Sequence, residues 1–414
     1  MLRKIFQTAE WSQDKRIVIS HRPFTPMAAP KIFTRDFTLC FFAQFAFSAV
    51  LFSLVPTIPI FLSRRGTSEA EIGILVGALS VFSLLLRPFV GRALLRTPER
   101  RFMLSGTVLV GLASAAYLIA PPFWPLLLVR VLHGTGVAFF FTASFTLAAR
   151  ITSETSRGKS LSYFQLSINL AFALSPSFGI LLVNRFDFPA LFAFCAGLSV
   201  VSFYVASRLG KEWETHPSEN LTEKPPAILR RAVFVPSFMA SLNNVIWGAL
   251  TTFFPLYAIR QGVENPGFFF AIFAVMLVLG RGLGGGILDA YHRDRIILPC
   301  MIAHIVAMTL LPFSQTMPLF ALVAVIWGAG SSFLYPTLVS FAVERAGRSP
   351  GPAMGTFTAI TELGTGMGSV IMGVVLQISS YRTMFLCLAV TGLFNFLFFI
   401  FFVRGKGGMS HADL

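Results

Sequence analysis

The residues of this sequence that can do chemistry are few, and they sit where charge is least welcome. Leu126 to Ala149 reads LLLVRVLHGTGVAFFFTASFTLAA, an apolar run long enough to cross a bilayer, and it holds Arg130 and His133 one helical turn apart beside Gly134 and Gly136. An unpaired arginine near mid-membrane costs from about 3 to more than 10 kcal/mol, so Arg130 must face a protein partner or a hydrated cavity. It is the leading functional candidate, set against the plainer reading of a buried arginine bonded to backbone carbonyls. His133 can relay protons beside it or simply pack. Glu362 is the only carboxylate well inside an apolar segment, with Gly355, Thr358, Ala359, Gly366 and Ser369 as its helical neighbours. Burial raises a carboxyl pKa and a cationic partner lowers it, which is the tension a proton-coupled switch uses; a structural ion pair is the alternative. Arg87 and Arg281 are the other intramembrane cations. His304 reads as packing.

The elements that must position these groups are membrane helices. Hydrophobic residues make up 55% of the 414, charged residues only 12%, and mean hydropathy is +0.73, more apolar surface than a soluble core of this length needs. Cys40, Cys195, Cys300 and Cys387 lie singly in apolar runs, which points to packing and away from disulfides or metal knuckles. Twelve apolar segments follow one another. The first six span 36–62, 70–95, 102–121, 124–150, 160–184 and 188–209; the second six span 233–260, 266–289, 295–315, 317–344, 353–380 and 382–403. Residues 1–35 are basic, hold three prolines and lack a continuous apolar core, which excludes a cleaved signal peptide and predicts a flexible tail; Met27 is an alternative start. Residues 210–232 carry prolines and both charge signs and read as a linker between a bundle at 36–209 and a second at 233–403, with 404–414 as a short tail.

Lys and Arg divide 25 to 5 between the two sides, which sets both termini in the cytoplasm and explains the +15 net charge as topology, not as a nucleic-acid footprint. The halves also repeat. Adding 194 carries Arg87 to Arg281, Gly91 to Gly285, Gly134 to Gly328, Gly136 to Gly330, Ser175 to Ser369 and Gly179 to Gly373, as expected for a transporter built from parallel repeats with its site between them. No G-x-x-x-x-G-K-[ST] or H-E-x-x-H occurs, and the glycines of 280–286 sit in an apolar helix without a preceding strand. No enzyme, cofactor or metal site is indicated, and transport is secondary or passive.

Twelve helices in a 6+6 repeat, a central linker and short basic loops after helices two and eight resemble the major facilitator superfamily over residues 36–403. Gly285, Asp289 and Arg293 after helix eight resemble its loop motif, whereas after helix two, in the frame that starts at Gly91, Leu95 stands in place of the aspartate. The R-x-x-x-G-x-G pattern at Arg130 is similar to the fourth-helix motif of proton-coupled members. Ala173 to Gly179 is similar to the antiporter motif of helix five, with Ser175 where glycine is usual, and the RPFVGR run at 87–92 is similar to bacterial efflux-type members that export drugs or metal-chelating metabolites.

The resemblance implies that helices one, four, seven and ten line a cavity. Gln44, Asn243, Asn244, Trp247, Trp327 and Tyr335 become candidates beside Arg130, joined by Gln165 and Asn169 of helix five. It also implies that helices two and eleven meet, where Arg87 and Glu362 share a depth and would pair to close the cytoplasmic side; Arg281 is the rival partner. An apolar, aromatic cavity with few amides suits a small amphiphilic or anionic compound better than a sugar. The expectation is therefore a proton-coupled exporter working as a monomer in a bacterial inner membrane, without cofactor, metal or nucleic-acid partner. An importing symporter or uniporter and a transport-silent receptor or scaffold are the alternatives.

Overall fold

The computed structural model describes residues 33–152, 157–210, 233–283, 291, 293–346 and 350–404. Most of the terminal tails and of the linker, and Gly285, Asp289 and His292 of the loop motif, lie outside the described residues. A lipid-buried backbone has no water to bond to, so each apolar segment satisfies its own N–H and C=O groups as a helix. The helices are α1 (Arg35–Arg64), α2 (Glu69–Ala93), α3 (Glu99–Ala116) and α4 (Trp124–Ile151). A single run, Arg157–Ser207, then extends over 51 residues. At 1.5 Å per residue it would measure about 77 Å, more than twice the roughly 30 Å of a bilayer core. It turns back at Asp187, whose φ of 64° and ψ of −179° are not helical, giving α5 (157–186) and α6 (188–207). The second half holds α7 (Phe234–Arg260), α8 (Gly267–Leu283), α9 (Arg293–Leu310), α10 (Met317–Ala346), α11 (Pro350–Ile378) and α12 (Tyr381–Phe398).

Polar side chains set several helix starts. Thr34 accepts from the Phe37 N–H ahead of α1, Ser68 and Glu71 bond each other's backbone N–H at the start of α2, and Ser380 accepts from Thr383 before α12. Among the described residues eight runs are long and apolar enough to cross a membrane on length and composition, the run that turns at Asp187 among them. The charged start of α3, the amides of α7 and the 17 residues of α8 keep those three from matching that pattern, although each takes its place in the bundle.

The repeat is physical. In the first half α4 packs on α2 and α3, and α1 on α5; in the second α10 packs on α8 and α9, and α7 on α11. The same offset governs the closest approaches. A Cβ on Gly134 would meet the Leu79 carbonyl oxygen at 2.7 Å, and one on Gly328 would meet Phe273, 194 residues beyond Leu79, at its oxygen at 3.1 Å. Gly136 lies against the oxygen of Gly106 and Gly330 against that of Cys300, each at 2.9 Å from the added Cβ and again 194 apart. Helix pairs this close are possible only where one partner lacks a side chain, so glycine fixes the packing that the two halves share. The halves meet along two seams, α2 on α11 and α5 on α8, with α1 also touching α7.

A substrate cavity and its charged groups

The two ends of the bundle differ. At the face away from the linker, the distal face, the seams are tight: a Cβ on Gly73 of α2 would collide with the Ser369 carbonyl oxygen of α11, and one on Gly77 would meet that of Gly366 at 2.6 Å. On the other seam a Cβ on Gly267 would lie 2.5 Å from the Ser177 Cα. Polar ties rim this face. The Ala70 N–H donates to Gln377 Oε1 at 3.1 Å, Asn265 Nδ2 to the Ser177 oxygen at 3.1 Å and Asn184 Nδ2 to the Glu264 oxygen at 2.8 Å, while Arg260 lies 3.6 Å from Glu69.

Below this seal the halves enclose a cavity of about 1030 Å3. Its lining runs from Ile58, Val76 and Ser369 to Arg87, Thr146 and Gly355 near the linker-side ends of α2, α4 and α11. Phe52, Phe141, Phe145 and Trp247 give it an aromatic wall, and Ser80, Ser83, Thr142, Thr251, Thr358 and Thr365 supply hydroxyls.

Arg130 is 6% exposed and both lines the cavity and bonds backbone. Gly134 brings α2 so near α4 that the guanidinium reaches across: Nε donates to the Leu75 oxygen at 2.7 Å and Nη2 to the Val76 oxygen at 3.0 Å. A carbonyl oxygen has two lone pairs, so these can serve the helix ladder and the arginine together. Nη1 donates to Tyr117 Oη at 3.3 Å, and that hydroxyl also stands 3.1 Å from His133 Nδ1. His133 is fully buried, its Nε2 has no hydrogen-bond partner, and it lies outside the cavity lining. Tyr117 escaped the sequence reading. The signal was a tyrosine ending an apolar segment, whose hydroxyl must find a partner when buried.

At the linker end Arg87 Nη1 lies 2.7 Å from Glu362 Oε1, each side chain under a third exposed. This pair crosses the α2–α11 seam. It is formed while the distal face is packed and the cavity reaches toward the linker face, so the expectation that it marks a closed linker side needs amendment: it coexists with the opposite arrangement. Tyr335 of α10 lines the cavity within electrostatic reach of Glu362, Arg87 and Arg281. Arg281 lies in the last turn of α8, outside the cavity lining, with its Nε buried and unbonded.

The amide and aromatic candidates separate into two groups. Gln165, Asn244 and Trp247 line the cavity, and Asn244 Nδ2 donates to Thr365 Oγ1 at 3.1 Å. Gln44 is wholly buried instead, its Nε2 on Ser48 and its Oε1 accepting from Ser144, so it fastens α1 to α4. Trp327 stands behind Trp247 with ring centres 5.5 Å apart. Asn169 and Asn243 are half-buried and outside the lining. A Cβ on Gly91 would meet nothing within 4 Å, and Arg293 pairs with Glu344, tying α9 to α10.

Comparison with known proteins adds the lineage. The family model of the Major Facilitator Superfamily matches residues 40–351 and 265–412. The quinolone resistance protein NorA of Staphylococcus aureus is 20% identical over 82% of this chain and 89% of its own. The staphylopine export protein of the same species is 22% identical over 84% of this chain and 91% of its own. The crystal structure of a point mutant of the nucleoside transporter NupG superposes with a TM-score of 0.74 at 13% identity, covering 88% of this chain and 98% of that one, which speaks for the fold alone.

Proposed function

This chain belongs to the Major Facilitator Superfamily of secondary transporters, multi-pass proteins of the membrane, and from that premise we propose that it exports a small amphiphilic or anionic compound by alternating access coupled to protons. The observation that carries the reading is the cavity between two related halves, sealed by glycine seams at one face and holding Arg130 and the Arg87–Glu362 pair in its wall. Its lining is mainly apolar and aromatic, with amides and hydroxyls spaced apart, which fits an amphiphile and leaves a sugar short of partners. The names of two relatives, one for quinolone resistance and one for staphylopine export, support the outward direction and keep a drug or a metal-chelating metabolite as substrate.

The excess of Lys and Arg on the linker side supports reading that face and both termini as cytoplasmic, and the bacterial relatives support an inner membrane as the setting. The conformation is then the one open inward. Glu362 is the group we assign to proton exchange, since a carboxyl facing both a cation and a hydrated cavity can trade one for a proton as the halves rock. Arg87 gates by holding or releasing it. One chain supplies all of these groups, so a monomer suffices.

Proteoliposomes sorted by sidedness test the proposal. A proton gradient running from the distal to the linker face should drive a naphthyl acid the opposite way. Movement of both in the same direction would make the protein an importer, and a gradient that moves no solute while the protein remains folded would support the receptor alternative.

A further inference from the structure

The stretches that follow α2 and α8 correspond in the repeat, but their charges do not. Residues 92–101 hold four arginines and one glutamate, a net +3, whereas 286–295, 194 residues on, hold two arginines and two aspartates and come to zero with His292 neutral. Asp289 of the second half answers to Leu95 in the first, where the side chain is exposed. Glu99 does not offset the surplus. It is buried and pairs with Arg150 of α4 at 2.9 Å, while Arg100 donates to the Ser207 oxygen at the end of α6. Arg92, Arg96 and Arg101 are left exposed, and among the described residues no side-chain partner meets them.

Helical spacing decides where these three point. On α2, Leu85 and Phe89 are exposed and outside the cavity lining, so they face lipid. Arg92 and Arg96 follow at steps of three and four on the same stripe, and the bonds from the Leu94 N–H to the Val90 oxygen and from the Thr97 N–H to the Ala93 oxygen carry the helical path past the end of α2. On α3 the exposed stripe Arg101, Ser105, Val108, Leu112, Ala115 and Ile119 opens with an arginine in the same way. Only residues 94–98 separate the two helices, so both lipid-facing stripes reach the linker face side by side and finish in guanidiniums at head-group level. Topology accounts for basic residues on this face; it does not require that their carboxylates be missing or that they continue the lipid-facing stripes.

We propose that the α2–α3 connection is a docking site for an anionic phospholipid, its phosphate among Arg92, Arg96 and Arg101 and its acyl chains along Leu85, Phe89, Val108 and Leu112. A guanidinium presents a planar fork of N–H donors that fits two phosphate oxygens. Leu95 is neutral where the second half has an acid, and an aspartate there would repel the phosphate. The apolar stripes select a lipid over a soluble anion, which would leave them unused. The site is separate from the cavity and from whatever the cavity carries.

Native mass spectrometry of the delipidated full-length protein in a neutral detergent tests the site, with dioleoylphosphatidylglycerol and dioleoylphosphatidylcholine as probes. These lipids share their chains and phosphate and differ in net charge. The glycerol lipid should bind more tightly, and each of Arg92→Gln, Arg96→Gln and Arg101→Gln should weaken it about fivefold, the worth of one basic residue at an anionic surface. The triple variant should bind both lipids alike, with choline-lipid binding, the check on folding, as in the parent. Leu95→Asp should weaken the glycerol lipid alone. Arg295→Gln, 194 residues after Arg101 in the neutral stretch, should keep the parent's preference. Equal affinities in the parent would overturn the site, and so would a loss in Arg295→Gln as large as in Arg101→Gln. Displacement of the glycerol lipid by millimolar inorganic phosphate would reveal a soluble-anion site and refute the lipid.

Discussion

Replacing Gly73 with alanine should force the distal face open. The added Cβ would run into the Ser369 carbonyl oxygen, 3.1 Å from the carbon of that group and 3.3 Å from the Gly373 Cα. All three obstacles are backbone on α11, so no side chain can swing aside, and relief comes only by parting α2 from α11. Overpacking of this kind costs about 1 to 3 kcal/mol. The cost falls only on the conformation in which the seam is closed, so the equilibrium should shift toward the distally open form by about fivefold to 150-fold. A single cysteine at Thr251, which lines the cavity and is 6% exposed, reports the change in a variant whose four native cysteines are replaced. An impermeant maleimide added at the distal face should label it faster by that factor. Gly91→Ala, whose Cβ meets nothing within 4 Å, is the control and should label as the parent does. Equal rates in Gly73→Ala and the control would refute the seam as the barrier.

Gly267→Ala, 194 residues on and facing the Ser177 Cα, should act in the same direction on the other seam, read by the same labelling; slower labelling would contradict it. Arg130→Ala should abolish transport and also lower the melting temperature, because three hydrogen bonds from a charged group, of about 1.5 to 3 kcal/mol each before compensation, are lost with the α2–α4 tie. Arg130→Lys keeps the charge without the fork and should recover membrane expression more than transport; normal transport by the alanine variant would count against any coupling role. A double-mutant cycle of Arg87→Ala and Glu362→Ala, followed by thermal unfolding, should give a coupling of about 1 kcal/mol for this partly hydrated pair, and none at all would mean the two do not meet in solution.

The fold could be read from the sequence because its signals are long-range averages. Twelve apolar stretches, a charge bias and a constant offset survive errors of several residues at any boundary, and the glycines that carry the offset, Gly134 with Gly328 and Gly136 with Gly330, are the ones whose missing side chains set the helix contacts. The depth argument that placed Arg87 beside Glu362 worked for a similar reason, since helix rise is fixed. Direction around a helix axis was harder. Gln44 and Asn244 are both amides on helices expected to line the cavity, yet one turns to Ser144 and the other to the cavity, and only the packing of neighbouring helices decides which. The partition of Trp247 and Trp327 into a lining ring and a backing ring has the same origin. The seam residues were partly legible: Gly73 and Gly267 obey the repeat as well as any pair, but a glycine reveals its role only when the opposing backbone is known.

The distal seams meet backbone to backbone, and this bears on leakage. A contact bridged by long side chains can stretch, staying joined while water and ions seep through the gap. A glycine contact has nothing to stretch: a radial gap of about 0.5 to 1 Å already forfeits a quarter to a half of the attraction between facing atoms and is still too narrow for water to replace it. Gly73, Gly77 and Gly267 therefore make partial separation the least favourable arrangement, poorer in contacts than the closed form and drier than the open one. The protein should pass between states abruptly, with little time spent ajar, and a proton gradient across it should decay slowly when no substrate is present.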